Sequence, residues 1–125
     1  MVVLERIGFY FQTVFHIASD PAHIAILFGS FILGIIFGAM PGLTSTLGVA
    51  LLTALTYGMD TATAMLCLLS IYVGGTYGGS YASILINIPG TAASAATALD
   101  GYPLACKGEG GRAIGLTTTA SAIGT

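Results

Sequence analysis

Charge is nearly missing from this sequence. Three Lys or Arg and five Asp or Glu occur in 125 residues, 6% of the chain, against 55% apolar residues. Soluble domains carry roughly 25% charged residues, because a closed surface must stay hydrated. A soluble globule is therefore excluded. The three basic residues form no cluster and no basic face, which excludes a nucleic-acid-binding surface. Cysteine is scarce as well: Cys67 lies in an apolar run and Cys106 in a polar stretch, with no CxxC spacing and no neighbouring His. That pattern argues against a metal or redox site and reads as a buried small residue and a loop thiol. Neither His16 nor His23 has a Ser or Cys partner at a motif spacing, and paired carboxylates are missing, so no enzyme is expected. GEGGR (108–112) has neither the preceding strand nor the following Lys-Ser/Thr of a phosphate loop. The opening MVVLERIGFYF has no basic n-region, so a cleavable signal peptide fits poorly.

What is present is long and apolar. Asp20, Asp60 and Asp100 bound two stretches, 21–59 and 61–99, with no charged residue between them. Crossing about 30 Å of hydrocarbon takes roughly 20 helical residues, so each stretch supplies one full crossing and most of a second. The expected class is an all-α, polytopic transmembrane protein with Pro-Gly-broken or re-entrant helices. Residues 1–20 read as an interfacial or lead-in helix, and 22–40, 43–58 and 61–88 as membrane segments. Residues 100–112 read as a hydrophilic loop, and 113–125 as the start of a further helix, which suggests the N-terminal part of a longer transmembrane domain. Asp20-Pro21 is a helix start, and Asp60 or Thr61 is placed to cap the next one. Gly34, Gly38 and Gly42 recur every four residues, as do Gly74 with Gly78 and Gly75 with Gly79. Small residues at that spacing let helix backbones approach closely in lipid.

Two interruptions go beyond packing. Pro41-Gly42 opens PGLTST (41–46) and Pro89-Gly90 opens PGTAAS (89–94), each inside an apolar context and each followed by hydroxyls. Proline removes a backbone donor and glycine admits conformations other residues avoid. Unpaired backbone groups cost several kcal/mol in hydrocarbon, so broken helices persist only against protein or a water-filled cavity. Each break also leaves a half-helix N-terminus whose free N–H groups favour a carboxylate. Such paired elements point to a substrate site in secondary transporters. Surface Pro-Gly turns are the alternative reading.

The run FGAMPGLTSTLGVALL, followed by YGMDTATAMLCLLSIYVGGTYGGSYASILINIPGTAASAATALDGYPLACKGEGGRAIG, resembles the large membrane subunit of the tripartite tricarboxylate transporters, the TctA family. The likeness covers roughly residues 20–125. Its motifs fall on Pro41 to Thr44, Tyr77 to Ser80, Asn87 to Thr91 and Asp100 to Pro103, while Cys106 departs from the usual small aliphatic residue. The resemblance implies a multi-pass carrier of the bacterial inner membrane for tricarboxylates or other small carboxylates. It further implies uptake driven by a sodium or proton gradient, without a cofactor. It also implies two partners, a TctB-like small membrane subunit and a TctC-like periplasmic solute-binding protein. Within that frame the amides of Gly42 to Thr44 and of Gly90 and Thr91, with the hydroxyls of Thr44, Ser45, Thr46 and Thr91, are candidate carboxylate ligands. Asn87 is a candidate for substrate or ion, and Ser80 for the ion, because neutral oxygens suit hard cations. Asp60 and Asp100 are expected to cap helices or form turns. Lys107 and Arg112 favour a cytoplasmic side for 100–112. The competing class is a non-transporting membrane scaffold or channel-type subunit whose glycines serve helix contact alone.

Overall fold

The few acidic residues decide where the long helices start. In the computed structural model, which describes residues 1–124, Asp20 Oδ1 accepts from the Ala22 amide at 3.1 Å and Asp60 Oδ2 from the Ala62 amide at 3.2 Å. Each carboxylate satisfies an N–H that the first helical turn leaves unpaired, and complements the positive end of the helix. The helices that follow are α2 (Pro21–Ala39) and α4 (Thr61–Ile86). With mean hydropathies of 2.1 and 1.2, both are long and apolar enough to cross a membrane. Around them lie α1 (Val2–Ser19), α3 (Ser45–Leu55) with a 3-10 turn at Thr56–Gly58, a second 3-10 turn at Ala92–Ser94, α5 (Ala95–Cys106) and α6 (Gly110–Gly124). Among the described residues there is no strand. The chain is an all-α membrane protein.

α2 and α4 form the core of the bundle, and glycine sets their separation. A Cβ on Gly34 would strike the Ile71 carbonyl oxygen, and one on Gly38 the carbonyl of Gly75. From the other side, a Cβ on Gly74 would strike the Phe31 carbonyl and one on Gly78 that of Ile35. The obstacles are backbone, so neither helix can yield by turning a side chain. Polar pairs extend the same seam: His23 Nε2 lies 3.1 Å from Thr63 Oγ1, and Ser30 Oγ lies 3.0 Å from the buried Cys67 Sγ. Residue numbers rise together along the seam, from 23 against 63 to 38 against 75, so the two helices run parallel. Without a hydrophobic drive between helices in lipid, such close packing and interhelical hydrogen bonds supply the association.

Parallel neighbours require a return segment, and α3 supplies it. Ser45 packs on Gly75 and Gly48 against the Ile71 side chain, so α3 runs antiparallel to α4. Beyond α4, Thr91 packs on Gly79 and Gly101 on Ile84, so α5 runs in the same direction as α4. α6 then descends, from Gly110 beside Leu85 to Ser121 beside Tyr72 and Thr76. α1 has no buried residue and lies at the edge of the bundle, with Phe9, Phe11 and Phe15 exposed.

α4 passes unbroken through GGTYGGS, whose glycines are its packing surface. Two sequence expectations change. The expected loop at 100–112 is helical as far as Cys106 and again from Gly110, leaving only Lys107 to Glu109 as a turn closed by Gly108 at φ +82°. The polar composition misled there: Ala98 and Gly101 are buried, and Gly101 is pressed on Ile84, so tertiary contact holds α5 in place. Asp100, expected as a cap or turn residue, is in the interior of α5 and caps nothing.

Candidate functional site

The two Pro-Gly breaks use glycine for different reasons. At the first, the Leu43 amide donates to the Met40 carbonyl at 3.1 Å, with Pro41 and Gly42 between them and Gly42 at φ +90°. That is a tight turn with Pro at its second position and a positive φ at its third, the geometry a type II turn demands. Gly42 itself is exposed, with open space where a Cβ would point. At the second break, α4 ends on Asn87 in the left-handed conformation, φ +57°. The chain then folds back so that the buried Gly90 rests on the carbonyl of Gly38 and the Cα of Gly79. Gly90 is required for space, and Gly42 for its φ.

These folds bring both breaks onto one stretch of α4. Ser45 sits over Gly75, with its Cβ 2.8 Å from where a Gly75 Cβ would lie; Thr91 sits over Gly79, with its amide nitrogen 3.2 Å from the corresponding point. Gly75 and Gly79 are one helical turn apart, about 6 Å. α3 and the turn that leads into α5 are therefore seated one helical turn apart on α4, and α3 and α5 run in opposite directions along it. At about 16 and 18 Å they are half-length helices, and the α4 they line is about 39 Å long. Their starts lie about 21 to 27 Å from the first residue of α4, well inside its length.

The donors at this junction divide into used and unused. Thr44 Oγ1 caps α3 by accepting from the Leu47 amide at 3.3 Å. Thr91 is tied into its own turn: its amide donates to Ser94 Oγ at 3.2 Å, the Ser94 hydroxyl donates to the Thr91 carbonyl at 2.8 Å, and the two hydroxyl oxygens lie 3.2 Å apart. Among the described residues, no partner is present for the amides of Ser45, Thr46, Ala92 and Ala93 or for the hydroxyls of Ser45 and Thr46. Ser45 is nonetheless only 5% exposed. Two helix N-termini thus converge with unspent donors and no cation, an arrangement that attracts a carboxylate by partial charge and hydrogen bonds together.

The other sequence candidates lie elsewhere. Asn87 is exposed at the C-terminus of α4, about 12 Å along the helix from Gly79. Its structural work is that of a left-handed C-cap, a role Asn shares with Gly. Ser80 faces a groove between α4 and α6 and donates to the Thr76 carbonyl at 3.3 Å. Sequence reasoning missed Ser94, whose T-x-x-S spacing from Thr91 is that of a capping box. It also missed that Gly75 and Gly79 seat the breaks.

A family model described as "Tripartite tricarboxylate transporter TctA family" matches residues 24–125, which include both breaks and the glycine-rich helix. The chain belongs to the TctA family. A relative from Agrobacterium vitis, described as an "uncharacterized 52.8 kDa protein in TAR-I ttuC' 3'region", is 39% identical over 114 residues. That match covers 91% of this chain and 22% of the relative, so the chain spans about a fifth of that protein's length. No solved structure matches. The TctA match begins at residue 24, so α1 lies outside it, and the converging half-helices lie wholly within it.

Proposed function

We propose that this TctA chain forms part of the membrane permease of a binding-protein-dependent secondary transporter. It imports tricarboxylates or other small carboxylates across the bacterial inner membrane, driven by a sodium or proton gradient. A TctB-like small membrane subunit and a TctC-like periplasmic solute-binding protein complete the system. The carboxylate binds where α3 and α5 begin. The observation that carries this reading is the meeting of two half-helix N-termini on Gly75 and Gly79, with the donors of Ser45 and Thr46 unspent. Chemically, N–H and hydroxyl donors without a fixed positive charge hold an anion firmly enough to select it and loosely enough to release it. The Thr91–Ser94 turn positions the second terminus, and the amides of Ala92 and Ala93 offer donors there. A membrane scaffold would account for the α2–α4 glycines, but gives no reason for two helix starts with unspent donors to be seated one turn apart on α4.

Ser45→Ala and Thr46→Val test the assignment, since neither hydroxyl has a structural partner to lose. Measured in the complete transporter with citrate and a panel of small di- and tricarboxylates, each variant should weaken apparent affinity about tenfold or more. That follows from losing a hydrogen bond to a charged group, about 1.5–3 kcal/mol. Wild-type affinity for every transported carboxylate in both variants would remove the proposed site.

A further inference from the structure

α1 buries no residue, yet its sequence is two-faced. At about 100° per residue, Leu4, Ile7, Phe11 and Phe15 share one face, and Glu5, Gln12 and His16 the opposite one. The apolar face is open, with Leu4, Phe11 and Phe15 each about three-quarters exposed. Gln12 and His16 turn instead toward His23 of α2 and Asp60 at the start of α4, across a cleft of about 510 Å³. That cleft continues into a groove of about 290 Å³, walled by Val14 and Ala18 of α1, Ile24 and Leu27 of α2 and Leu66 of α4. The exposed wall of the groove is entirely apolar. Ile17 and His23 line both parts, so they form one cleft whose polarity changes with depth. Along α4 the change runs from Ala62 to Leu66, about 6 Å.

α2 and α4 start at capping carboxylates, which mark the lipid–water boundary. The polar mouth therefore lies at that boundary and the apolar groove within the hydrocarbon. Asp60 is the acidic group in the mouth, with one oxygen taken by the Ala62 amide, and no Lys or Arg lines it among the described residues. Gln12 and His16 have no hydrogen-bond partner among the described residues. At the junction of the two parts, His23 Nδ1 is buried 3.2 Å from Asp20 Oδ2, close enough for a charge contact but not aligned for a hydrogen bond. A carboxylate suits an ammonium group, and neutral N–H donors suit a phosphodiester. Six ångströms deeper, only hydrocarbon fits without stranding a polar group. We propose that this cleft binds one phosphatidylethanolamine. Its ammonium sits on Asp60, its phosphate on Gln12 and His16, and one acyl chain in the groove between α1 and α2. The lipid fills the gap between α1 and the start of α4. The site is separate from the junction on Gly75 and Gly79, which lies about 20 Å further along α4, and does not depend on the carboxylate reading.

The test is photolabelling of the complete protein in proteoliposomes by phosphatidylethanolamine carrying a diazirine in one acyl chain, mapped by mass spectrometry of peptides. Label should fall on residues 14–28 and on Leu66. Unlabelled phosphatidylethanolamine should compete about tenfold better than phosphatidylglycerol, which has no ammonium for Asp60. Asp60→Asn keeps a good capping residue and should abolish that preference. Ala18→Phe, which fills the groove, should cut the labelling severalfold. Asp100→Asn, outside the cleft, should label as the wild type does. Labelling of the cleft no stronger than that of the exposed face of α3, or equal competition by the two lipids, overturns the site. So does an unchanged preference in Asp60→Asn or unchanged labelling in Ala18→Phe. Should Ala18→Phe not be recovered folded, Asp60→Asn decides alone.

Discussion

The breaks at Pro41-Gly42 and Pro89-Gly90 look alike in sequence and are built differently. The first is an exposed tight turn after a span-length helix, and its glycine is needed for φ +90° alone. The second is a fold-back wedged between α2 and α4, and its glycine is needed because backbone from both helices lies where a side chain would be. Both deliver a helix N-terminus to the same glycine-rich turn of α4. A shared dipeptide therefore marks a shared destination, reached by two separate backbone solutions.

That difference is open to direct attack. Gly90→Ala should have the largest effect, because the new methyl would meet the Gly38 carbonyl and lie 3.0 Å from the Gly79 Cα. Overpacking of this kind costs about 1–3 kcal/mol or more, and here both obstacles are backbone. The expected outcome is loss of folded protein, or of transport, read by detergent-solubilised yield and uptake. Gly42→Ala meets open space and costs only the left-handed conformation, about 1–2 kcal/mol, so folded protein should be recovered with a lowered thermal midpoint. Equal losses in the two variants would erase the distinction. Ser94→Ala comes next: it strips the Thr91 amide of its acceptor, at about 1–3 kcal/mol, without touching the first break. Its mark should be faster amide exchange at residues 91–94 alone. Thr44→Ala should cost about 1 kcal/mol through the lost cap of α3, and Thr44→Ser nearly nothing. A large loss in Thr44→Ser would mean that the methyl group has a role that capping does not explain.

Much of this architecture is legible from sequence, for identifiable physical reasons. Charge-free length marks α2 and α4, and Asp20-Pro21 and Asp60 mark their starts, because capping and burial of apolar helices are local or one-dimensional properties. Asn87 before Ile-Pro could have been read as a helix stop. What could not be read is which neighbour each glycine meets. Gly74 and Gly78 face the backbone of α2, while Gly75 and Gly79, one residue on, face Ser45 and Thr91. A rotation of about 100° per residue separates the two roles, and no local pattern says which face meets which helix. Asp100 escaped for the same reason. Its neighbours are polar enough to suggest a loop, and only the seating of Gly101 on Ile84 makes the segment a helix with a groove-facing carboxylate.

Everything proposed for the carboxylate depends on both half-helices starting on the same turn of α4. Cysteine cross-linking tests that most directly, with the thiols placed where side chains already stand: Ser45→Cys with Thr91→Cys in the complete protein, after replacing Cys67 and Cys106. Gly75 and Gly79 are left unchanged, because a Cβ there would lie 2.8 Å from the Ser45 Cβ and 3.0 Å from the Thr91 Cγ2. Treated in native membranes with a short bismaleimide and read by mass spectrometry of proteolytic fragments, the pair should be bridged in high yield. Failure of the bridge to form in folded protein whose two thiols are both reactive would contradict the convergence of the two breaks.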